Sequence, residues 1–159
     1  MARQVAKKVD SGQLAVDGER LTVHERRQRM ESISEAIQNS LLQGQLPCAA
    51  AFAIAQRLGV EPLQVGQEAD ALGVRLSKCQ LGLFGYGSKA EGKHKRVKPM
   101  QNVPPELAKA IHAAAGEDGK MTCAAAWQIA DSFGLSRQEV SNAAEGLGTR
   151  VGHCQLGAF

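Results

Sequence analysis

Aromatic side chains are scarce in this 159-residue chain: one Trp, one Tyr and four Phe make up 4% of it, so a core must come mainly from Ala, Leu, Ile and Val. No apolar run is long enough to cross a bilayer, and the N-terminus lacks the apolar centre of a secretion signal. A soluble, cytoplasmic protein with no membrane partner is the expectation. Four cysteines are too few for a disulfide scaffold, and reduced thiols are the default. No phosphate-cradling glycine loop, Ser/His/Asp set or paired carboxylates recurs along the chain. The expectation is a protein that is not an enzyme and carries no cofactor.

What is present is a repeat. Residues 48–84 and 123–159 match at 17 of 37 positions, without a gap, at a constant offset of 75. Self-similarity of that quality predicts two copies of one structural unit. Two units of about 55–60 residues each sit near the lower size at which one core supports itself, so the copies should pack on each other or on a second chain. The hydrophobic fraction of 43% and charged fraction of 22% are those of a folded protein.

The pattern divides the chain into a basic tail with a hairpin signal at Asp17-Gly18 (1–23), a first unit (24–84), a basic linker (85–103) and a second unit (104–159). Met30, Ile33, Ile37 and Leu41 form a helical stripe that Gly44 should end. Pro47 and Cys48 open a second helix with Ala51, Ile54, Ala55 and Leu58 inside, stopped by Gly59. Pro62 fits the first position of a third, whose stripe is Val65, Ala69 and Leu72. Pro104-Pro105 begins the second unit, and Ser136 and Glu139 stand at capping-box spacing. After the third helix, Val74 and Leu76 share one parity and Cys79, Leu81 and Leu83 the other. One straight strand cannot keep both sets on one face. A tight turn at Ser77-Lys78, with Gly152-His153 as its equivalent, predicts a short β-hairpin, and a bulge is the alternative.

Both copies place a small residue (Ala55, Ala130), a glycine four residues on (Gly59, Gly134) and a β-branched residue six further (Val65, Val140). Steeply crossing helices need a small side chain at closest approach, a turn residue tolerant of positive φ and an apolar plug. This spacing resembles the helix-turn-helix family. With a helix before and a hairpin after, each unit resembles a winged helix, so the expected fold is mostly α with minor β. The resemblance implies a DNA-binding transcriptional regulator whose second helix enters the major groove while the wing touches the backbone. On that reading Arg137, Gln138 and Asn142 read bases from the second unit, and Gln64 and Gln67 occupy the matching face of the first. The first-unit face also carries Glu61, Glu68 and Asp70 and no cation, which suits phosphate poorly. Arg75, Lys78, Arg150 and His153 at the wings, with Lys95 and Arg96 of the linker, would hold phosphates. A protein-interaction or assembly module on the same scaffold, or a homodimer, is the alternative.

Each copy pairs a cysteine at a helix start with one in a Cys-Gln-Leu-Gly segment: Cys48 with Cys79, Cys123 with Cys154. Three roles are open: small buried side chains filling an Ala-rich corner, a redox pair within each copy, or a shared four-thiolate metal site. The last lacks the usual Cys-x-x-Cys pairs and requires the copies to meet cysteine to cysteine. A thiol at a helix N-terminus also has its anion favoured by the backbone dipoles.

Overall fold

The computed structural model describes residues 22–159; the hairpin expected at Asp17-Gly18 and the basic tail lie outside the described residues. The described chain is mostly helical. Its order is α1 (Val23–Asn39), β1 (Leu46–Pro47), α2 (Cys48–Leu58), α3 (Pro62–Ala71), β2 (Leu76–Ser77), α4 (Pro105–Ala114), β3 (Lys120–Thr122), α5 (Cys123–Phe133), α6 (Arg137–Gly146) and β4 (Arg150–His153). Helices α1–α3 pack into one unit and α4–α6 into the other.

The helix boundaries follow local chemistry. A capping box between Thr22 and Glu25 opens α1. Ser40, rather than Gly44, closes it, because Gln43 and Gly44 take up a tight turn in which Leu42 and Gln45 exchange backbone hydrogen bonds. Gly59 and Gly134 end α2 and α5 at φ 64° and 63°, where a side chain would be strained. Pro62 occupies the first turn of α3, and Ser136 and Glu139 cap α6 reciprocally. Ala55, Val65, Ala130 and Val140 are all buried where α2 packs on α3 and α5 on α6. Leu72, expected inside, is 38% exposed.

The segment after each third helix is not a hairpin. β2 runs parallel to β1, pairing Leu46 with Leu76 and Pro47 with Ser77. β4 runs parallel to β3 from Lys120–Arg150 to Thr122–His153, with a register irregularity between Met121 and Thr122. Gly152 therefore falls at a bulge rather than in a two-residue turn. The strands tie each third helix back to the residues that open the second.

Beyond Ser77 the chain leaves its own unit. Val74 and Leu76 stay with the first core, which is built on Ile33, Ile37, Ala51, Ile54 and Val65. Cys79 and Leu81 are buried in the second core, with Leu107, Ile111, Met121 and Val140. The second unit returns the exchange: Leu156 is buried in the first core, and Cys154 packs against it. The parity break is real, and its physical solution is a crossing between two cores. Lys78, in left-handed backbone at φ 48°, makes the change of direction. Each buried leucine is worth about 2–3 kcal/mol.

The exchange gives the molecule an approximate two-fold axis. Phe52 meets Trp127 at 4.5 Å between ring centroids, and Phe84 meets Phe159 edge-on at 6.1 Å. Both pairs join residues 75 apart in the chain, the self-complementary contact of a symmetric dimer made here within one polypeptide. The arriving loop needs a small residue beneath it. A Cβ on Gly66 would stand 1.8 Å from the Leu156 carbonyl oxygen.

Two outcomes test the exchange. Leu81→Ala should cost about 2–5 kcal/mol and, although the residue belongs to the first repeat, lower amide-exchange protection in α4–α6 more than in α1–α3. Gly66→Ala should cost about 3 kcal/mol in urea unfolding, because its new methyl meets backbone. Ser141→Ala, at the equivalent site that already holds a Cβ, should cost about 1 kcal/mol or less.

Candidate functional site

The residues expected to read bases on α6 are engaged inside the molecule. The Arg137 guanidinium lies over the Trp127 ring, 3.5 Å from its centroid, and its Nη1 donates to Gln80 Oε1. Gln138 Nε2 donates to the Arg96 carbonyl at 3.1 Å. Asn142 Oδ1 accepts from the Lys98 amide at 2.9 Å, and its carbonyl accepts from the Met100 amide at 2.9 Å. The linker thus lies along α6. A Cβ on Gly146 would sit 2.2 Å from the Met100 carbonyl, so the two backbones are in direct contact.

The linker is itself structured. Tyr86 donates its amide to the His94 carbonyl, and the Arg96 amide donates to Gly82 O at 2.8 Å. The Arg96 guanidinium stacks on Tyr86 at 4.3 Å, and the Tyr86 hydroxyl donates to the Cys79 carbonyl. The segment linking the units in sequence is therefore packed on the second of them.

The matching face of α3 is open. Gln64 serves as a cap, its Oε1 accepting from the Glu61 amide at 3.0 Å, while Gln67 and Asp70 are exposed. Glu68 accepts from Ser34 Oγ on α1. Arg75, Lys78, Arg150 and His153 are exposed at equivalent corners of the two units, and Lys95 and Arg96 are exposed on the linker. Among the described residues neither corner group forms an ion pair; the surface pair on the linker is Lys93 with Glu91 at 3.0 Å.

All four cysteines converge on the junction between units. The pairs expected within each copy, Cys48 with Cys79 and Cys123 with Cys154, lie close enough to interact. The cores are shared crosswise as well: Cys48 shares the first core with Cys154, and Cys79 shares the second with Cys123. Cys48 lies close to Cys79 and Cys154, Cys79 to Cys154, and Cys123 to all three, close enough for an ionised neighbour to raise the pKa of each of these three thiols. Gln80 Nε2 donates to Cys48 Sγ and Gln155 Nε2 to Cys123 Sγ, each at 3.7 Å. Burial dominates the chemistry. It pushes Cys48 up to about 11 and Cys123 up to about 12, and raises Cys79 as well, despite the helix N-termini at which Cys48 and Cys123 sit. All four are free thiols, and no group of three or more His, Cys, Asp or Glu among the described residues is arranged to hold a metal ion.

Three further features had no counterpart in the expected site. Arg137, Gln80 and Cys48 form a polar chain that crosses the junction. Trp127 Nε1 is buried without a hydrogen-bond partner, a cost of about 1–3 kcal/mol, so contact with Phe52 and Arg137 holds that ring in place. A polar cleft lies beside Lys78, lined also by Gln43, Tyr86 and Arg96. The signal for the cleft was present only as the basic linker and the Tyr86–Arg96 spacing.

No helix among the described residues is long and apolar enough to cross a membrane. Compared with protein-family models, curated proteins and solved structures, the chain matches none.

The raised thiol pKa values set a pH dependence. In the unfolded chain these groups lose protons near their ordinary value of 9.0, whereas Cys48 and Cys123 hold theirs to about 11 and 12. Between those limits the folded state binds more protons, so their contribution to stability is complete below pH 9 and is lost as pH rises through the folded values. Unfolding midpoints in urea should fall between pH 8.5 and about 11. Replacing Cys48 and Cys123 together with Ala should remove part of that fall. Alkylation of these two thiols at pH 8 should proceed at the rate of global opening.

Proposed function

We propose that the protein is a small nucleic-acid-binding regulator, with no reaction of its own, that grips the phosphate backbone through its corners and linker. The observation that carries this reading is the placement of positive charge. Arg75 and Lys78 in one unit and Arg150 in the other, with His153 at the position equivalent to Lys78, are exposed on either side of the approximate two-fold axis. The exposed linker adds Lys95, Arg96 and Lys98. Phosphate neutralisation of this kind supplies affinity without reading sequence.

The scaffold supports the same reading. α2–α3 and α5–α6 keep the buried alanine, left-handed glycine and buried valine of a helix-turn-helix pair, and a short strand follows each where a wing begins in a winged helix. The role of the second helix differs from the family's. Arg137, Gln138 and Asn142 are held by internal partners, so base reading by α6 forms no part of the proposal. One observation favours a second reading, a protein-binding module. Leu63 is exposed on α3 beside Gln67 and Asp70, an acidic and apolar face free of cations.

Fluorescence anisotropy with a mixed-sequence duplex separates the two. The proposal expects binding at low salt, and about tenfold loss with the double change Arg75→Gln, Arg150→Gln. The slope of log affinity against log salt should shrink by about 2, close to 0.9 for each phosphate contact removed. Asn142→Ala should leave that slope unchanged. No binding at low salt would overturn the proposal in favour of a protein partner, whose capture should survive Arg150→Glu.

A further inference from the structure

We infer that the cleft between the 42–45 turn and the base of the linker binds a small tetrahedral oxyanion, a phosphate group being the type. This site shares Lys78 and Arg96 with the phosphate grip proposed above, but it is argued from the cleft itself, which Arg75 and Arg150 do not line. The cleft has a volume of about 260 Å³, and its polar lining includes Gln43, Gln45, Ser77, Lys78, Tyr86 and Arg96. That is room for a bare oxyanion or a small phosphorylated molecule, below the range of about 300–1,000 Å³ that larger ligands fill.

Charge defines the ligand class. Two cationic side chains line the cleft, no carboxylate does, and neither cation has an ion-pair partner among the described residues. Like charges sharing a concave, partly enclosed space leave a field that only an anion relieves. The two carboxamides and the Ser77 hydroxyl add neutral donors of the kind that complete an oxyanion shell.

Pre-organisation supports the same conclusion. The Arg96 guanidinium carbon lies over the Tyr86 ring, its backbone amide is fixed by Gly82, and the Tyr86 hydroxyl is fixed by Cys79. The guanidinium lines the cleft with no ion-pair partner among the described residues, and its N–H fork suits bidentate contact with an oxyanion. Among the described residues, the non-glycine positions with positive φ are Gln43 at 53° and Lys78 at 48°, and both line this cleft. Left-handed backbone costs about 1–2 kcal/mol for a side-chain-bearing residue and concentrates where function holds it.

The second unit lacks the arrangement. Its turn at 117–120 reads Glu117-Asp118-Gly119-Lys120 where the first has Leu42-Gln43-Gly44-Gln45, and Gly152 and His153 replace Ser77 and Lys78. The two carboxylates would repel the ligand that the first unit attracts.

Inorganic phosphate is the first probe, titrated into the ¹⁵N-labelled protein at constant ionic strength while backbone amide resonances are followed. Saturable shifts confined to the neighbourhood of Gln43, Lys78, Tyr86 and Arg96 are expected. Lys78→Asn keeps a residue that tolerates positive φ while removing the charge, and Arg96→Gln removes the fork. Each should weaken binding by about tenfold or more, and Lys109→Gln, at an exposed cation outside the cleft, should leave it unchanged. A short DNA duplex is the second probe and separates the two sources of a phosphate group. If the same amides move with duplex and phosphate displaces it, the cleft takes a backbone phosphate. If they move with phosphate alone, the ligand is a small molecule. Shifts that do not saturate, that scatter over Lys109 and Lys120, or that persist unchanged in Lys78→Asn and Arg96→Gln would overturn the inference.

Discussion

The structure depends on one constraint: neither repeat completes its own core. Leu81 of the first repeat fills the second core and Leu156 of the second fills the first, each essentially without solvent contact. Units of this size bury too small a fraction of their surface to be comfortably stable alone, and an exchanged leucine contributes a sizeable part of a typical total of 5–15 kcal/mol. The units are therefore thermodynamically joined. Opening one withdraws a core residue from the other, which makes cooperative rather than sequential unfolding the natural consequence. Gly66 shows how close the fit is, since the carbonyl of Leu156 occupies the space a side chain would take.

The exchange produces a near two-fold molecule, and the linker then breaks the symmetry. Residues 85–103 leave from the end of the first repeat and run over α6, bonding Gln138 and Asn142 and touching Gly146. The equivalent face on α3 keeps Gln67 and Asp70 in solvent. Two helix pairs with the same scaffold thus present different surfaces. The linker also builds the cleft at Lys78, which needs Tyr86 and Arg96 as one wall. Duplication supplied a symmetric frame, and the linker, together with the exchange of Ser77-Lys78 for Gly152-His153, makes its two halves unlike.

Much of the local structure was legible because it rests on short-range chemistry. Gly59 and Gly134 stop helices through backbone conformation, Pro62 starts one through its missing N–H, and Ser136 with Glu139 caps another. Ala55 and Val65 with their partners mark helix crossings that both copies satisfy. The change of parity between Leu76 and Cys79 was also visible, and it does mark a change of direction. Within a single unit it implies a hairpin. Only when two cores are available can Val74 face one and Leu81 the other. The destination of Arg137 was hidden for the same reason: its partners Trp127 and Gln80 come from different repeats, and no spacing along the chain records that meeting.

The thiols show how the junction decides chemistry that local position leaves open. A helix N-terminus stabilises a nearby anion by roughly 0.3–1 kcal/mol, less than the 1.4 kcal/mol or so that moves a pKa by one. Cys48 and Cys123 occupy such positions and still hold their protons to about 11 and 12, because desolvation at the meeting of two cores outweighs the dipole. Their hydrogen bonds from Gln80 and Gln155, and the crossed sharing of cores with Cys154 and Cys79, place all four where segments from both repeats crowd together. Cysteine in that setting is a small apolar filler with a weak hydrogen-bonding edge. The Cys-Gln-Leu-Gly segment is then one device: the thiol and glutamine dock the loop at the junction, the leucine crosses into the other core, and the glycine turns the chain away at positive φ.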